Sequence, residues 1–150
     1  MKILEVMQQP VITVTEDASL EEVARTMLQH GIGCLPVVNP QGMLAGIITE
    51  SDFAAQEKGI PFSTFRAPQV LGQWISSHGV EQIYAAARRK QAREIMKTNV
   101  VTLAENDSLD RAVELMLQHD INRIPVVRNG MPIGILARRD LLRLMLSPRS

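Results

Sequence analysis

The chain contains a single cysteine, Cys34. No internal disulfide can form, which fits a reducing cytoplasm. A surplus of either charge is also missing: Lys+Arg and Asp+Glu both number 16. Binders of nucleic acid or anionic membranes usually carry a basic excess, so neither partner is expected. No apolar run reaches the length needed to cross a bilayer. The opening stretch MKILEVMQQPVITV lacks the continuous apolar segment and small-residue cleavage site of a signal peptide. A cytoplasmic location is therefore the expectation. No Cys/His cluster has zinc spacing, and no nucleophile–base pair or P-loop is found. These absences predict no catalytic residue, no metal site, no obligatory cofactor and no enzymatic activity.

What the chain does have is a repeat. With 45% hydrophobic residues in 150, it can bury a core of ordinary size. A shift of 89 residues aligns Met7–Val38 with Met96–Val127, with 14 identities in 32 positions, where composition alone would give about two. Met27-Leu28-Gln29-His30 recurs as Met116-Leu117-Gln118-His119, and Pro36-Val37-Val38 as Pro125-Val126-Val127. One residue is then lost in a turn. At the new shift of 88, Gly42, Met43, Gly46, Ile47 and Asp52 meet Gly130, Met131, Gly134, Ile135 and Asp140. Two copies are too few for a solenoid. Two copies facing each other across a pseudo-two-fold axis can each bury the other's apolar face.

Each copy reads as strand–helix–strand–strand–helix. Val11–Val14 is rich in β-branched residues and predicts a strand. Ser19-Leu20-Glu21-Glu22 has the form of a capping box. Leu20, Val23, Ala24, Met27 and Leu28 then follow helical spacing as one apolar stripe, with Gly31 as the stop. In the second copy the stripe is Leu109, Ala112, Val113, Met116 and Leu117. Leu35–Val38 and Leu44–Ile48 predict strands around the turn Asn39–Gly42, and Asn129-Gly130 is a hairpin signal. A second helix is expected from about Ser51.

The copies divide the chain into residues 1–58, an insert at 59–90, and 91–150. Phe62, Phe65, Trp74 and Tyr84 lie in the insert, and Phe53, the fifth aromatic residue of the chain, lies just before it. A helix is expected over Val80–Lys97 and a loop over Gly59–Gln69. A connection of this length usually has a job. Phe62, Phe65 and Trp74 are expected to form a lid or contact surface near a cleft, or else a local mini-core.

The duplicated order, the strand Leu35-Pro36-Val37-Val38 with its counterpart Ile124-Pro125-Val126-Val127, and the ending Gly46-Ile47-Ile48-Thr49-Glu50-Ser51-Asp52 resemble the CBS motif, named after cystathionine β-synthase. The resemblance implies an α/β fold in which two CBS motifs pack sheet to sheet as one module. It also implies a homodimer and a regulatory role. The ligand would be an adenosine-containing small molecule (AMP, ADP, ATP or S-adenosylmethionine), sensed on behalf of a regulated protein. The other reading is a structural module that dimerises and holds no nucleotide.

The residues fit such a ligand. A carboxylate can accept both ribose hydroxyls, and Asp52 and Asp140 are the candidates. Thr49 can serve phosphate, or simply cap the following helix with Asp52. The resemblance implies composite clefts. Cleft one would join Ile47, Thr49, Ser51 and Asp52 to Thr98, Val100, Ile121, Asn122, Arg123 and Ile124. Cleft two would join Asp140, Arg138 and Arg139 to Val11, Ile32, Gly33, Cys34 and Leu35. In cleft two Ala137 replaces the threonine and Gly33-Cys34 replaces Asn122-Arg123, so Arg138 or Arg139 would have to serve the phosphate. Cys34 reads as a small residue beside a strand, His30 and His119 as helix ends, and Arg88-Arg89-Lys90 as a solvated face.

Overall fold

A computed structural model of the chain describes residues 2–58 and 74–146. The first copy contains helix α1 (Ile3–Val6), strand β1 (Val14–Thr15), helix α2 (Leu20–His30), strands β2 (Cys34–Val38) and β3 (Leu44–Thr49), and helix α3 (Glu50–Lys58). Helix α4 (Trp74–Ala87) connects the copies. The second copy repeats the order with α5 (Ala92–Ile95), β4 (Leu103–Ala104), α6 (Leu109–His119), β5 (Arg123–Arg128) and β6 (Met131–Ala137). It ends in a 3-10 turn, Arg138–Leu142, and helix α7 (Arg143–Leu146). The expected α/β architecture with two equivalent motifs is what folds.

The local reasons are those of the sequence. Ser19 Oγ accepts from the Glu22 N–H at 3.1 Å, and Ser108 Oγ from the Arg111 N–H at 3.0 Å. Each serine thereby satisfies one unpaired donor at a helix start. Gly31 ends α2 at φ 61; in the second copy Asp120 takes the same left-handed turn at φ 52. Asn129 and Gly130 both have positive φ, the requirement of a tight two-residue hairpin. In the first copy Asn39 Oδ1 accepts from Gln41 and Met43 instead, closing a wider turn.

Each sheet has three strands. β1 runs parallel to β2, and β2 pairs antiparallel with β3, with Leu35 opposite Ile48 and Val37 opposite Gly46. β4, β5 and β6 repeat this, with Ile124 opposite Leu136 and Val126 opposite Gly134. The copies interlock reciprocally. Gln8 pairs with Ile135 through two backbone hydrogen bonds of 2.8 and 3.2 Å. The repeat-related pair, Lys97 and Ile47, does the same at 3.0 and 2.9 Å. The short helices follow these bridges. α1 places Ile3, Val6 and Met7 in the core of the second copy, beside Leu103, Met116 and Leu136. α5 places Ala92 in the core of the first, with Ile95 and Met96 packed against it.

Two expectations shift. The first strand is shorter than Val11–Val14 and begins only at Val14. The helix expected over Val80–Lys97 begins at Trp74 and is cut after Ala87. The cut has a cause. The Arg88 and Lys90 carbonyls accept from the Glu21 and Leu20 N–H groups at 3.1 and 2.8 Å, capping α2. Of the insert's aromatic residues, Phe62 and Phe65 lie outside the described residues. Trp74 opens α4, and its side chain likewise lies outside what is described. Ile83 and Ala87 of α4 are buried, while Tyr84 is exposed.

Candidate functional site

The pseudo-two-fold axis brings the starts of β2 and β5 together. Cys34 and Arg123 are repeat-related residues at those starts, and Gly33 and Asn122 precede them. A cavity of about 550 Å³ opens here. Of the residues assigned to cleft two, it brings together Val11, Ile32, Gly33, Cys34, Arg138 and Arg139. Asn122 and Arg123, assigned to cleft one, line it as well. Its body is apolar, from Ile12, Ile135, Ala137 and Leu142; Gln8, Pro10 and Gly31 complete the wall.

Several of these were missed by the sequence reading. Ile135 had a signal: it is the repeat-mate of Ile47. Gln8 had none, because only the bridge to Ile135 carries it across to the other copy. Two assigned residues stand apart. Leu35 and Ile124, also repeat-mates, are fully buried in the two separate cores. Their neighbours Cys34 and Arg123 point the opposite way along the strands, as strand alternation requires.

The remaining cleft-one residues gather around Asp52. Its carboxylate is buried and accepts from the Thr49 backbone N–H at 2.8 Å and the Thr49 hydroxyl at 3.4 Å. Lys97 Nζ lies 3.6 Å from the other oxygen. Ile47 is held by the bridge to Lys97; Thr98 is exposed and Val100 half-buried just beyond it, and Ser51 is exposed on the first turn of α3. Ile121 is half-buried and gives its carbonyl to Arg138 Nη2 at 3.2 Å.

Asp140 is the repeat-mate of Asp52 and has the same backbone role, accepting from the Ala137 N–H at 2.8 Å. Where Asp52 faces Lys97, Asp140 faces the repeat-related Gln8, whose amide nitrogen donates to its two oxygens at 3.4 and 3.5 Å. Both carboxylates thus perform the capping role. Each also keeps lone pairs for a ligand, since an ionised carboxyl offers about four acceptor directions.

Cys34 is buried, and desolvation pushes its thiol up to about 11; Arg123 and Lys97 oppose that shift and Asp52 adds to it. The thiol is therefore protonated at neutral pH and a poor nucleophile. We expect a thiol reagent at neutral pH to label Cys34 far more slowly in the folded protein than after denaturation. Rapid stoichiometric labelling of the folded protein, at the rate of the denatured one, would contradict this protonated thiol.

The comparisons with known proteins agree with this architecture. The model of the CBS domain matches residues 3–58 and again 92–147. The chain belongs to the CBS domain family. Protein MJ1225 of Methanocaldococcus jannaschii is 35% identical over 135 residues, which cover 89% of this chain and 43% of that protein. The chain thus spans less than half of that relative's length. Among solved structures, the CBS domain of a CBS domain-containing membrane protein from Sphaerobacter thermophilus is 45% identical, covering 96% of this chain and 87% of the other, with a TM-score of 0.76. The CBS domain pair of protein MJ0100, solved with 5′-methylthioadenosine and S-adenosyl-L-methionine, is 27% identical and covers 97% and 95% of the two chains, with a TM-score of 0.71. Among the described residues of the present chain, no helix is long and apolar enough to cross a membrane.

Proposed function

We propose that this CBS pair is a regulatory sensor that binds an adenosine-containing ligand, AMP, ADP, ATP or S-adenosylmethionine, between its two motifs. One observation carries the reading: the cavity on the pseudo-two-fold axis, with apolar walls, cationic side chains and a buried carboxylate behind Gln8. Adenine suits an apolar slot, ribose suits Asp140, and anionic groups suit arginine. The MJ0100 pair, bound to two adenosine compounds, supports the class of ligand. The module acts by population shift. A ligand touching both copies favours one packing of the motifs, and a partner protein reads the difference. Catalysis is not part of this reading. Calorimetry and thermal shift with the four ligands and with guanosine controls test it. Saturable binding of at least one adenosine ligand is expected; no binding by any would leave the structural, ligand-free reading in its place.

That second reading shares one feature with the first, a homodimer. The apolar stripes of α2 and α6 are only partly used inside the chain. Leu20, Val23 and Met27 are buried, yet Leu28 is 84% exposed, and its repeat-mate Leu117 is 71% exposed beside Val113. Leu142, Met145 and Leu146 are also exposed. Apolar side chains left exposed in this number support an association surface. Light scattering of the wild-type chain at micromolar concentration should give a dimer mass. Leu28→Glu combined with Leu117→Glu should give a monomer with unchanged circular dichroism. A wild-type monomer would remove the dimer from both readings.

A further inference from the structure

The hairpin turns of the two motifs meet across the pseudo-two-fold axis, and methionine makes the contact. Met43 closes the turn between β2 and β3, and its repeat-mate Met131 opens β6. Each reaches to the glycine in the other copy's turn. Met43 Sδ lies 3.3 Å from where a Cβ on Gly130 would stand, with its methyl group closer still. The Met131 methyl lies 3.5 Å from the same point on Gly42. Because both partners are glycine, each thioether rests directly on backbone. The Met43 backbone is fixed from both sides by Asn39, whose Oδ1 accepts from its N–H and whose N–H donates to its carbonyl, both at 2.9 Å. Met131 is held in register opposite Arg128. Beside the thioethers, the Leu44 N–H donates to the Gly130 carbonyl at 2.9 Å. The repeat-related bond cannot form, since Pro132 stands in the place of Leu44 and has no N–H.

The molecule uses methionine on glycine a second time, deeper inside. Met7 lies against Gly134 and Met96 against Gly46. Exposure separates the two sets. Met7 is buried and Met96 half-buried, whereas Met43 and Met131 are 38% and 46% exposed. A small oxidant in solution therefore reaches sulfur at the outer pair first. Oxidation turns a flexible apolar thioether into a polar sulfoxide. The added oxygen needs a hydrogen-bond donor, and turning toward water to find one lifts the side chain off its glycine.

From this arrangement we propose that Met43 and Met131 are a modification site: a hydroperoxide converts their thioethers to sulfoxides, which opens the joint between the two motifs. The sulfur lone pair attacks the terminal peroxide oxygen, and an S–O bond forms as the O–O bond breaks. The proton on that oxygen passes to the leaving alkoxide, which departs as an alcohol. Sulfur is oxidised by two electrons and the peroxide is reduced by them. A dithiol-dependent sulfoxide reductase reverses the step and closes the joint. The joint is thus an input to the packing of the motifs separate from the axis cavity, and it does not depend on which ligand that cavity takes.

Graded treatment with tert-butyl hydroperoxide, followed by peptide mass mapping and native-state hydrogen exchange, tests this. Met43 and Met131 should gain oxygen, together with the exposed Met145, well before the buried Met7, Met27 and Met116. The Leu44 amide should then exchange at least about 10-fold faster, and the thermal midpoint should fall by about 2–4 °C. Sulfoxide reductase should restore both. Met43→Leu with Met131→Leu, a volume-conserving change, should keep the joint and abolish the response. Met145→Leu should leave the response in place. Met43→Gln with Met131→Gln should speed Leu44 exchange without any peroxide. Three results overturn the proposal: oxidation of the buried methionines ahead of Met43 and Met131, unchanged Leu44 exchange once both are sulfoxides, or a full response in the double leucine variant, which retains Cys34.

Discussion

Replacing Gly134 by alanine should lower the stability of the module by about 2–3 kcal/mol, although the change adds one methyl group. Gly134 does not have a left-handed φ, so alanine costs nothing through backbone conformation. The cost is contact. A Cβ there would lie 2.6 Å from Met7 Sδ and 2.9 Å from the Gln8 carbonyl oxygen. The thioether can swing aside, but the carbonyl cannot without loosening the two hydrogen bonds between Gln8 and Ile135. Those bonds tie the leading segment of the first copy onto the sheet of the second. Gly46 is in the same position against Met96 and the Lys97 carbonyl oxygen, at 2.6 and 2.8 Å. For a chain of this size each kcal/mol shifts the thermal midpoint by about 2–4 °C, so a fall of about 4–12 °C is expected. Gly31→Ala serves as the contrast. That residue has φ 61 and nothing within 4 Å of a Cβ, so its cost is conformational alone, on the order of 1 kcal/mol. A Gly134→Ala midpoint no lower than that of Gly31→Ala would contradict the steric account of the bridge.

The same bridge marks the boundary of what the sequence makes legible. Signals that act within a few residues are readable: Ser19 and Ser108 cap their helices, Gly31 ends one, and Asn129-Gly130 turns a hairpin. The repeat then supplies the pairing of the copies. Contacts between distant segments are less accessible. α1 and α5 have four residues each, too few to display a period, yet their Ile3, Val6 and Ala92 side chains complete the opposite cores. The break after Ala87 depends on carbonyls that cap a helix begun almost seventy residues earlier. The apolar stripes are legible as spacing, but Leu28 and Leu117 are exposed on the helices where spacing alone would bury them. Leu115 is buried and falls outside the stripe read from the sequence. At the site, the aspartates and arginines are legible as candidates, by type and position. Which cleft each arginine serves is not, because Arg123 reaches the axis cavity through the relative placement of β2 and β5.

That placement leads to a comparison of the two aspartates. Asp140→Ala should weaken ATP binding by about 1.5–3 kcal/mol, or roughly 10- to 150-fold, the loss expected for hydrogen bonds to a charged group. Asp52→Ala should weaken it far less. The sequence alone favours the opposite order, because only the Asp52 cleft retains the threonine. Three features reverse it. Asp140 is joined through Gln8 to the cavity that Arg138, Arg139 and Arg123 line, whereas Asp52 is paired with Lys97, and neither of those two is among the described residues that line it. The partner of Asp140 is a neutral amide at 3.4 and 3.5 Å, which a pair of ribose hydroxyls can displace without stranding a charge. The partner of Asp52 is instead the Lys97 ammonium at 3.6 Å, so a neutral ribose there competes with a cation for the carboxylate. Alanine at either position also removes a cap on a backbone N–H, worth about 0.5–2 kcal/mol of stability. Asn is therefore the companion variant, since its carbonyl can still accept from Ala137 or Thr49. Asp140→Asn should keep most of the thermal midpoint and lose most of the ATP affinity. Calorimetry on the four variants reads both quantities. Full ATP affinity in Asp140→Asn, with loss in Asp52→Asn, would move the nucleotide to the other cleft.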